Sequence, residues 1–430
     1  MVRFSCISKG NVNIEGVKMR IQPVRGTRDF LPEETRLRDY LQEKILHTYV
    51  QNGFERILTP ALEDVENLDK SEGGDNLNLI FKILKRGEKL ERAVEESDVD
   101  ELADIGLRYD LTLPLCRYYA NNKAHLSLPF KVIQLDRVYR AERPQRGRMR
   151  EFVQCDIDIL GSDSHECEIE LIYVMAKTLL AIGMKNLVVR INDRRLHNEL
   201  LTKLGFSEEE HSSVSITLDK LDKIGLEGVR EELLEKECSE EAIDAYSQML
   251  ESKEPALEKV KSIVGEHEAL LSLESIIKAS ERLSGGKYTI EYDLSLIRGQ
   301  GYYTGTVFEI ETPDFPGSIA GGGRYDKLIE KFIDEDVPAV GFSIGFERIF
   351  SILSEAGFVI PEEKQRIAVI YDAGMITEAI SGAEELRDKY EVTLFERPKK
   401  VGRLFNRLEE RGFSGFVYAD NPDNLRLFEK

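Results

Sequence analysis

The spacing of apolar residues along the chain changes several times, and each spacing predicts a different kind of element. Apolar residues recur at helical spacing over residues 37–49, which predicts a helix that Pro32 opens and Gly53 ends. Apolar and polar residues alternate over Phe130–Tyr139 and Phe152–Leu160, which predicts two strands. Because a polar loop joins these strands, we expect an antiparallel hairpin with a long basic connection.

The remaining apolar segments are shorter and mix strand-like with helix-like patterns. Strands are expected near Ile57–Leu62, Leu79–Leu84, Leu107–Leu113, Tyr288–Leu294, Thr304–Glu311 and Val340–Ser343. A helix is expected to end at Arg117–Asn121, and others to cover Cys167–Gly183, Tyr325–Phe332 and Phe346–Glu355, with a glycine-rich turn at Ala320–Gly323.

These patterns divide the chain into a core, an insertion and a C-terminal domain. Residues 1–18 are expected to form an N-terminal extension. Residues 19–194 and 287–355 predict an α+β core with a mixed, mainly antiparallel sheet flanked by helices. Residues 195–286 show helical patterns only and predict an all-α insertion. Over residues 366–430 the order becomes β-α-β-α-β, which is typical of a small α/β domain with a parallel sheet.

The composition is that of a globular protein. The chain has 430 residues, of which 41% are hydrophobic and 32% charged. Its five cysteines, an odd number without a CxxC pair, disfavour a disulfide framework or a zinc cluster and favour a reducing cytoplasm. No stretch is apolar enough for a membrane span or a signal sequence, so no membrane partner is expected.

Charge is distributed unevenly. The chain carries 59 Lys+Arg and 79 Asp+Glu, a formal net charge of −20, which argues against a passive nucleic-acid coat. Residues 207–286 hold 20 acidic against 9 basic residues, whereas residues 131–150 and 397–411 are both net basic. Charge runs are most often solvated faces. In the segment 131–150, however, the arginines are interleaved with predicted strands.

The chain lacks the common short motifs of nucleotide hydrolases and metalloenzymes. It contains no GxxxxGK[ST], no GxGxxG between a strand and a helix and no HExxH. Walker-type, dinucleotide-binding and zinc-protease chemistry are therefore disfavoured.

The second strand of the hairpin carries polar residues where a core strand would carry apolar ones. With a period of two, Phe152, Gln154, Asp156 and Asp158 share one face. Such a face is either a solvated outer surface or a polar pocket, in which the ring would stack a base and the amide and carboxylates would bind an amine or a ring N–H. A weaker candidate is the segment 108–112, whose carboxylate and hydroxyl would share a strand face.

Arginines flank this polar face. Arg140 ends the first strand of the hairpin, and Arg148 and Arg150 precede the second. The planar guanidinium group, always charged, suits the binding of phosphate. A further cluster, residues 298–305, combines an arginine, several glycines and a tyrosine pair, although a tight turn explains its glycines equally well.

Five segments, in chain order, resemble the signature motifs of one family. Arg25–Pro32 with its helix resembles motif 1 of class II aminoacyl-tRNA synthetases, Phe130–Gly161 resembles motif 2 and Val340–Arg348 resembles motif 3. Arg298–Glu309 and Ala320–Leu328 resemble the two histidine signatures of histidyl-tRNA synthetases. The predicted insertion and C-terminal module are similar to the insertion and anticodon-binding domains of that family.

The resemblance implies a histidine–tRNA ligase. The carboxylate of histidine would attack the α-phosphate of ATP and release pyrophosphate, and the histidyl group would then pass to the terminal adenosine of tRNA(His). ATP and Mg²⁺ are the implied cofactors, and L-histidine and tRNA(His) the implied partners. The implied state is a cytoplasmic homodimer formed through the motif 1 helix.

The resemblance also implies a role for each matching polar residue. In the ATP-binding site it places Arg140 on the α-phosphate with Arg298 opposite, Arg348 on the γ-phosphate, Phe152 under adenine, Glu142 at the adenine edge or as an Mg²⁺ ligand, and Arg148 and Arg150 in the ATP-binding loop. In the histidine-binding site it places Asp110, Thr112 and Gln154 on the α-amino group, Asp158, Tyr302 and Tyr303 on the imidazole, and again Arg298. The implied catalytic residues are Arg140, Arg298 and Gln154.

Other functions stay open at this point. The synthetase-like regulatory subunit of ATP phosphoribosyltransferase is a paralogue that binds without aminoacylating, but Arg140, Arg298, Arg348 and the C-terminal module favour the enzyme. Another class II synthetase and a noncatalytic RNA-binding module are further alternatives. The chain departs from the family at Gln300-Gly301, where the first histidine signature usually has Leu-Asp, and its short C-terminal module is expected to lack the family's final helix.

Overall fold

The structure is a computed structural model, and it describes residues 21–69, 78–145, 147–251, 256–297 and 302–428. The described chain forms two compact units.

The first unit ends at Gly357 and the second begins at Phe358. The predicted N-terminal extension, residues 1–18, lies outside the described residues. No helix in the described part of the chain is both long enough and apolar enough to cross a membrane.

The first unit contains one large sheet, one small sheet and the helices around them. Its helices are α1 (Pro32–Gln51), α2 (Val65–Asp69), α3 (Glu88–Glu95), α4 (Thr112–Asn122), α5 (Glu166–Ala181), α6 (Arg194–Leu204), α7 (His211–Leu218), α8 (Leu221–Glu235), α9 (Glu240–Glu251), α10 (Ala256–Val264), α11 (Glu268–Ser284) and α12 (Phe346–Glu355). Its strands are β1 (Glu55–Arg56), β2 (Leu62–Asp64), β3 (Lys82–Leu84), β4 (Ala103–Leu107), β5 (Phe130–Tyr139), β6 (Glu151–Leu160), β7 (Leu187–Asp193), β8 (Tyr288–Tyr292), β9 (Thr306–Thr312), β10 (Phe315–Arg324) and β11 (Ala339–Gly345).

The large sheet is mixed and mainly antiparallel, as the sequence predicts. Its strand order is β1-β5-β6-β11-β10-β9-β7-β8, and only the two outer pairs among the described strands, β1 with β5 and β7 with β8, are parallel. The predicted hairpin is confirmed as β5 and β6, which pair antiparallel from Phe130 opposite Leu160 to Tyr139 opposite Glu151. The helices α1, α5 and α12 pack against this sheet.

The first predicted helix is confirmed as α1. Pro32 occupies its first turn, and the backbone N–H of Leu31 donates to Glu34 Oε2 at 2.9 Å. The apolar stripe over residues 37–49 is buried against the chain's own fold. Periodicity therefore located both the helix and its inward face.

Two predicted strands, Ile57–Leu62 and Leu107–Leu113, are wrong. The first falls in the connection between β1, which ends at Arg56, and β2, which begins at Leu62. β4 ends at Leu107, the side chain of Asp110 accepts a hydrogen bond from the backbone N–H of Leu113 at 3.2 Å, and Thr112 begins α4. Asp110 and Thr112 therefore do not share a strand face, because a carboxylate that bonds a nearby N–H favours a helix start over a strand.

The glycine-rich segment Ala320–Gly323 is a strand, not the predicted turn. It lies inside β10, paired antiparallel with both β9 and β11. A methyl group on Gly322 would overlap the backbone of Gly341, so the glycines allow close approach between strands. The predicted helix Tyr325–Phe332 is also wrong, because the structure has only a 3₁₀ turn at Ile329–Lys331 there.

The described residues between β7 and β8 are helical, in agreement with the apolar spacing. They form α6 to α11. Among these residues no strand interrupts the helices.

The second unit is a four-stranded α/β domain in its described residues. Its elements are β12 (Arg366–Tyr371), α13 (Ile376–Arg387), β13 (Glu391–Glu396), α14 (Val401–Glu410), β14 (Gly415–Tyr418) and β15 (Asn421–Leu427). β12 pairs in parallel with β13 and β14, which confirms the predicted β-α-β-α-β order, while β15 adds an antiparallel edge that the sequence did not indicate. The polar composition of β15 and its Pro422 are typical of a turn in sequence, but an edge strand tolerates both polar residues and proline.

Candidate active site

A cavity of about 390 Å³ lies over β6, β10 and β11 in the first unit. Most of the residues that the sequence identified as candidates line it: Asp110, Thr112, Arg140, Glu142, Arg148, Phe152, Gln154, Asp158, Tyr302, Tyr303 and Arg348. Arg298 lies outside the described residues, so its predicted role stays a prediction.

The polar face of β6 forms one wall of this cavity. Phe152, Gln154, Asp156 and Asp158 all line it, which excludes the alternative of a solvated outer face. The strand lies between β5 and β11, so the period-two alternation sends these four side chains to the same side of the sheet.

Glycines opposite β6 make room for these side chains. Gly341 of β11 pairs with Asp158, and a methyl group there would overlap the carboxylate. On β10, a methyl group on Gly323 would lie 2.8 Å from the ring of Tyr303. The absence of side chains at these two positions therefore creates the space in which the carboxylate and the tyrosine lie.

One end of the cavity holds three buried carboxylates, those of Asp110, Asp156 and Asp158. Burial, reinforced by the charge of Asp110 and opposed by a hydrogen bond from Tyr325, raises the pKa of Asp158 to about 7. Burial and the charge of Asp158 raise the pKa of Asp156 well above its usual range, and burial also raises the pKa of Asp110. This end of the cavity therefore favours a cation or a hydrogen-bond donor.

Asp158 has one oxygen that is satisfied and one that is not. The hydroxyl of Tyr325 donates to Oδ1 at 2.6 Å. Oδ2 is buried and has no hydrogen-bond partner within the described ranges. A buried acceptor without a donor costs free energy, so a ligand N–H at this position would restore the missing bond.

Aromatic rings complete this end of the cavity. The rings of Tyr302 and Tyr303 meet edge to face at 4.9 Å, and Tyr302 lies 6.1 Å from Tyr325. Such packing gives a rigid wall that is apolar in its body and polar at its hydroxyl groups.

The opposite end is basic. Arg140 is held by the carbonyl of Tyr109 at 2.9 Å and by Gln154 Oε1 at 3.4 Å, and its guanidinium lies 5.1 Å from the ring of Phe152. Arg348 donates to the backbone carbonyl of Ser318. Both guanidinium groups line the cavity, so an anion bound there would meet fixed positive charges.

Glu142 lies between two arginines at this basic end. Its carboxylate is 3.9 Å from Arg140 and 3.5 Å from Arg148. In the described part of the chain no group of three or more His, Cys, Asp or Glu side chains is arranged to hold a metal ion. Glu142 thus offers a single carboxylate, which fits a metal ion that arrives with phosphate ligands rather than a resident one.

Arg150 is the one described candidate that does not line the cavity. Its Nε donates to the carbonyl of Glu142 at 3.1 Å, and its backbone N–H donates to Gly26 at 2.8 Å. A methyl group on Gly26 would lie 2.8 Å from the Arg150 side chain. Arg150 therefore supports the loop that carries Glu142.

The lining residues to which the sequence had assigned no individual role include four with functional side chains: Asp156, Tyr325, Ser343 and Glu347. Asp156 belongs to the polar face of β6, so the period-two alternation along that strand was enough to place it in the cavity wall. Ser343 Oγ accepts from Gln154 Nε2 at 3.0 Å, and this contact joins β11 to β6 in a way that no local pattern indicates. Tyr325 follows the glycines of β10. The sequence pattern predicted a helix that starts at this residue, and this wrong prediction left Tyr325 without an assigned role.

Comparison with known proteins gives consistent results. A family model described as histidyl-tRNA synthetase matches residues 26–349. The chain is 40% identical over 417 residues to a histidine–tRNA ligase of Leifsonia xyli subsp. xyli (strain CTCB07), covering 93% of this chain and 95% of that protein. It is 37% identical over 430 residues to a probable histidine–tRNA ligase of Tropheryma whipplei (strain Twist), covering 95% and 98% of the two chains.

Solved structures agree in fold. The crystal structure of histidyl-tRNA synthetase from Nostoc sp. PCC 7120 superposes with a TM-score of 0.77 at 28% identity, over 94% of this chain and 93% of that one. A structure described as an ATP phosphoribosyltransferase regulatory subunit/histidyl-tRNA synthetase from Bacillus halodurans C has a TM-score of 0.76 at 22% identity, over 94% and 99% of the chains. This second similarity shows a shared fold alone.

The raised pKa of Asp158 makes the stability of the chain depend on pH. Relative to an unfolded value of about 3.9, the folded protein retains a proton at Asp158 that the unfolded chain has lost. The resulting stabilisation is complete below about pH 4 and disappears as the pH rises through 7. We expect the free energy of unfolding of the wild type, measured relative to Asp158→Asn, to fall by about 2–3 kcal/mol between pH 5 and pH 8.

Denaturant unfolding at several pH values measures this difference. Asp163→Asn, at an exposed aspartate, is the control and should follow the wild type. A difference between wild type and Asp158→Asn that stays constant over this pH range would contradict the raised pKa.

Proposed function

The chain belongs to the histidyl-tRNA synthetase family and is a histidine–tRNA ligase, and from this we propose that its β6 cavity is where ATP activates histidine. The observation that carries the proposal is the division of one cavity into an end with buried carboxylates and tyrosines and an end with fixed arginines. The first end suits an amino acid with a basic ring, and the second suits a nucleoside triphosphate.

We assign the carboxylate end to histidine. Asp158 Oδ2, buried and without a partner in the described residues, would accept the imidazole N–H, while Tyr325 holds the other carboxylate oxygen. Tyr302 and Tyr303 would pack around the ring. An amino acid without a ring donor would leave Asp158 unsatisfied, which is the kind of penalty that gives large discrimination.

The α-amino group of histidine would lie towards Asp110, Thr112 and Gln154. All three line the cavity, and Asp110 is buried in the turn before α4. Gln154 also bonds Arg140 at 3.4 Å, so it lies between the two ends of the cavity. This position would bring the histidine carboxylate close to the group that binds phosphate.

We assign the arginine end to ATP. Arg140 would bind the α-phosphate, Arg348 the γ-phosphate, and Phe152 would stack with adenine, while Arg148 would lie over the phosphates. Arg150, which supports the loop from outside the cavity, would act through that loop. Arg298 remains a predicted partner of the α-phosphate.

Mg²⁺ would neutralise part of the phosphate charge, and Glu142 is the carboxylate in the described cavity wall that would hold it together with the phosphates. Because Glu142 lies close to Arg140 and Arg148, triphosphate binding would draw these arginines to the phosphate oxygens and leave the carboxylate for the metal.

The reaction follows from these positions. The histidine carboxylate attacks the α-phosphorus, the bond to the β-phosphate oxygen breaks, and pyrophosphate leaves with that electron pair. Arg140 stabilises the negative charge that develops on the α-phosphate oxygens. In the second step a ribose hydroxyl of the terminal adenosine of tRNA attacks the histidyl carbonyl and releases AMP.

The test is ATP–pyrophosphate exchange with each of the twenty amino acids. We expect exchange with histidine and far less with any other, because a side chain without an N–H at the position of the imidazole donor would leave Asp158 unsatisfied. Asp158→Asn should lower kcat/KM for histidine by at least about 100-fold. Better exchange with another amino acid would reject the specificity, and no exchange with any would reject the activity.

The second unit is the proposed site of tRNA recognition. The basic segment over residues 397–411 includes α14, and Arg397 lies 5.0 Å from the ring of Tyr418. Arg426 on β15 lies 5.8 Å from the same ring and 6.0 Å from Phe416. Arginines beside aromatic rings are typical of surfaces that bind unpaired bases.

Replacing Arg397 and Arg426 together by alanine should raise KM for tRNA about tenfold and leave histidine-dependent exchange unchanged. Steady-state aminoacylation and exchange measure the two effects. Arg387→Ala, at an exposed arginine on α13, is the matched control. Equal effects of the double variant and the control would remove this surface from tRNA binding.

We also propose a homodimer, with the outer face of the small sheet as part of its interface. β2, β4 and β3 pair antiparallel, and Leu62, Ile83, Ile105 and Leu107 lie on one face by register. Leu62 and Ile105 are exposed. The apolar stripe of α1 is already buried in its own chain, so the motif 1 helix would contribute its outer residues only.

Ile105→Asp should convert the dimer to monomer, because a charge would be buried at the interface. Light scattering after size-exclusion chromatography measures the mass. Ile216→Asp, at an exposed isoleucine on α7, should not change it. A monomeric wild type, or a dimeric Ile105→Asp variant, would contradict the proposed interface.

We further infer a reducing compartment, the cytoplasm. The four cysteines within the described residues, Cys116, Cys155, Cys167 and Cys238, are free and buried. Free thiols in the core are typical of chains that fold in a reducing environment.

A further inference from the structure

A buried ion pair joins α1 to the helix that carries Arg348. Arg38 Nη1 and Nη2 donate to Glu347 Oε2 and Oε1 at 2.5 and 2.8 Å, although the two residues are 309 positions apart. Their side chains are 10% and 6% exposed. A bidentate pair in this environment fixes both the distance and the orientation of the two helices.

Glu347 also replaces a missing strand hydrogen bond. The pairing of β11 with β6 ends at Gly345 opposite Gln154. Beyond this point the backbone N–H of Val153 donates to Glu347 Oε1 at 3.3 Å. One carboxylate therefore holds Arg38 and the β6 backbone beside Phe152, at the arginine end of the cavity.

Aromatic rings surround the guanidinium of Arg38. It lies 3.9 Å from the ring of Phe30, 4.8 Å from Phe346 and 5.2 Å from Phe350. Phe30 and Phe350 also contact each other edge to face at 5.8 Å. These contacts keep the guanidinium from turning away from Glu347.

We propose that Arg38 is a positioning residue for ATP: through Glu347 it fixes Phe152 and Arg348 at the arginine end of the cavity. Glu347 itself lines the cavity and directly precedes Arg348. The orientation of Glu347 therefore sets the backbone position from which the Arg348 side chain extends towards the phosphates. The inference rests on the proposed function, because it requires ATP to bind at this end.

Removal of Arg38 has a specific consequence. The buried carboxylate of Glu347 would lose its countercharge and become free to attract cationic groups at the ATP site. The loss of ATP affinity would then come from the uncompensated charge of Glu347 more than from the lost contact with Arg38. Neutralising Glu347 in addition should therefore restore part of the affinity for ATP.

Histidine-dependent ATP–pyrophosphate exchange tests the proposal. Arg38→Met should raise KM for ATP at least about tenfold and change KM for histidine less than about twofold, since a small misplacement of a binding group has large kinetic effects. Adding Glu347→Gln to Arg38→Met should recover a substantial part of the affinity for ATP, because the amide is neutral and still accepts from Val153. Arg38→Lys should lie between the wild type and Arg38→Met.

Arg117→Lys is the matched control for Arg38→Lys. Arg117 forms another bidentate pair, with Glu63 at 2.7 and 2.8 Å, and neither residue lines the cavity. It should leave KM for ATP and for histidine unchanged. Thermal unfolding of every variant confirms that the assays compare folded proteins.

The outcomes separate this inference from the proposed function. An equal rise in both KM values, unchanged KM values, or a double variant that binds ATP no better than Arg38→Met overturns the positioning role alone. A wild type without histidine-dependent exchange overturns the proposed function and this inference with it. The selective rise in KM for ATP with recovery in the double variant supports it.

Discussion

The first unit depends on one constraint, the burial of a row of polar side chains along β6. Carboxylates taken out of water are costly unless they gain partners or a proton. The structure meets this cost with Tyr325 on Asp158, and with Ser343 and Gln154 beside Asp156. Glycine in β10 and β11 is required as well, since any side chain at Gly341 would occupy the space of the Asp158 carboxylate.

The same row would allow one cavity to accommodate the two unlike substrates of the proposed reaction. β6 begins at the basic loop and ends among the buried carboxylates, so its alternating residues pass from Phe152 through Gln154 to Asp158. Gln154 is neutral and bonds both Arg140 and Ser343. This neutral residue separates the carboxylates of Asp156 and Asp158 from Arg140, which would preserve both charged regions for ligands.

The net charge of the whole chain is a poor guide to a nucleic-acid partner, and the charge of individual segments is a better one. The overall value of −20 argues against nucleic acid as a partner, yet the acidic excess is concentrated in residues 207–286. In the second unit, guanidinium groups lie beside aromatic rings. A polyanion meets the local field of the surface it approaches, because charges farther away than about 10 Å are screened.

The sequence alone determined the elements whose signals are local: α1, the β5–β6 hairpin, the polar face of β6 and the β-α-β-α-β order of the second unit. Each follows from a repeat of 3.6 or 2 residues within one segment. It also contained, in order, the five motifs that resemble one family. These signals suffice for most of the cavity wall, including Arg140 and Asp158.

Only the tertiary structure decided which distant segments meet. It turned the glycine run of β10 from an expected turn into a strand, because that run lies between β9 and β11. It brought Asp110 and Thr112 to the cavity from a loop and a helix, and it left Arg150 outside. It paired Arg38 with Glu347 across 309 positions. Periodicity describes how a residue faces its own element, whereas these contacts depend on how elements pack, and packing is a property of the whole fold.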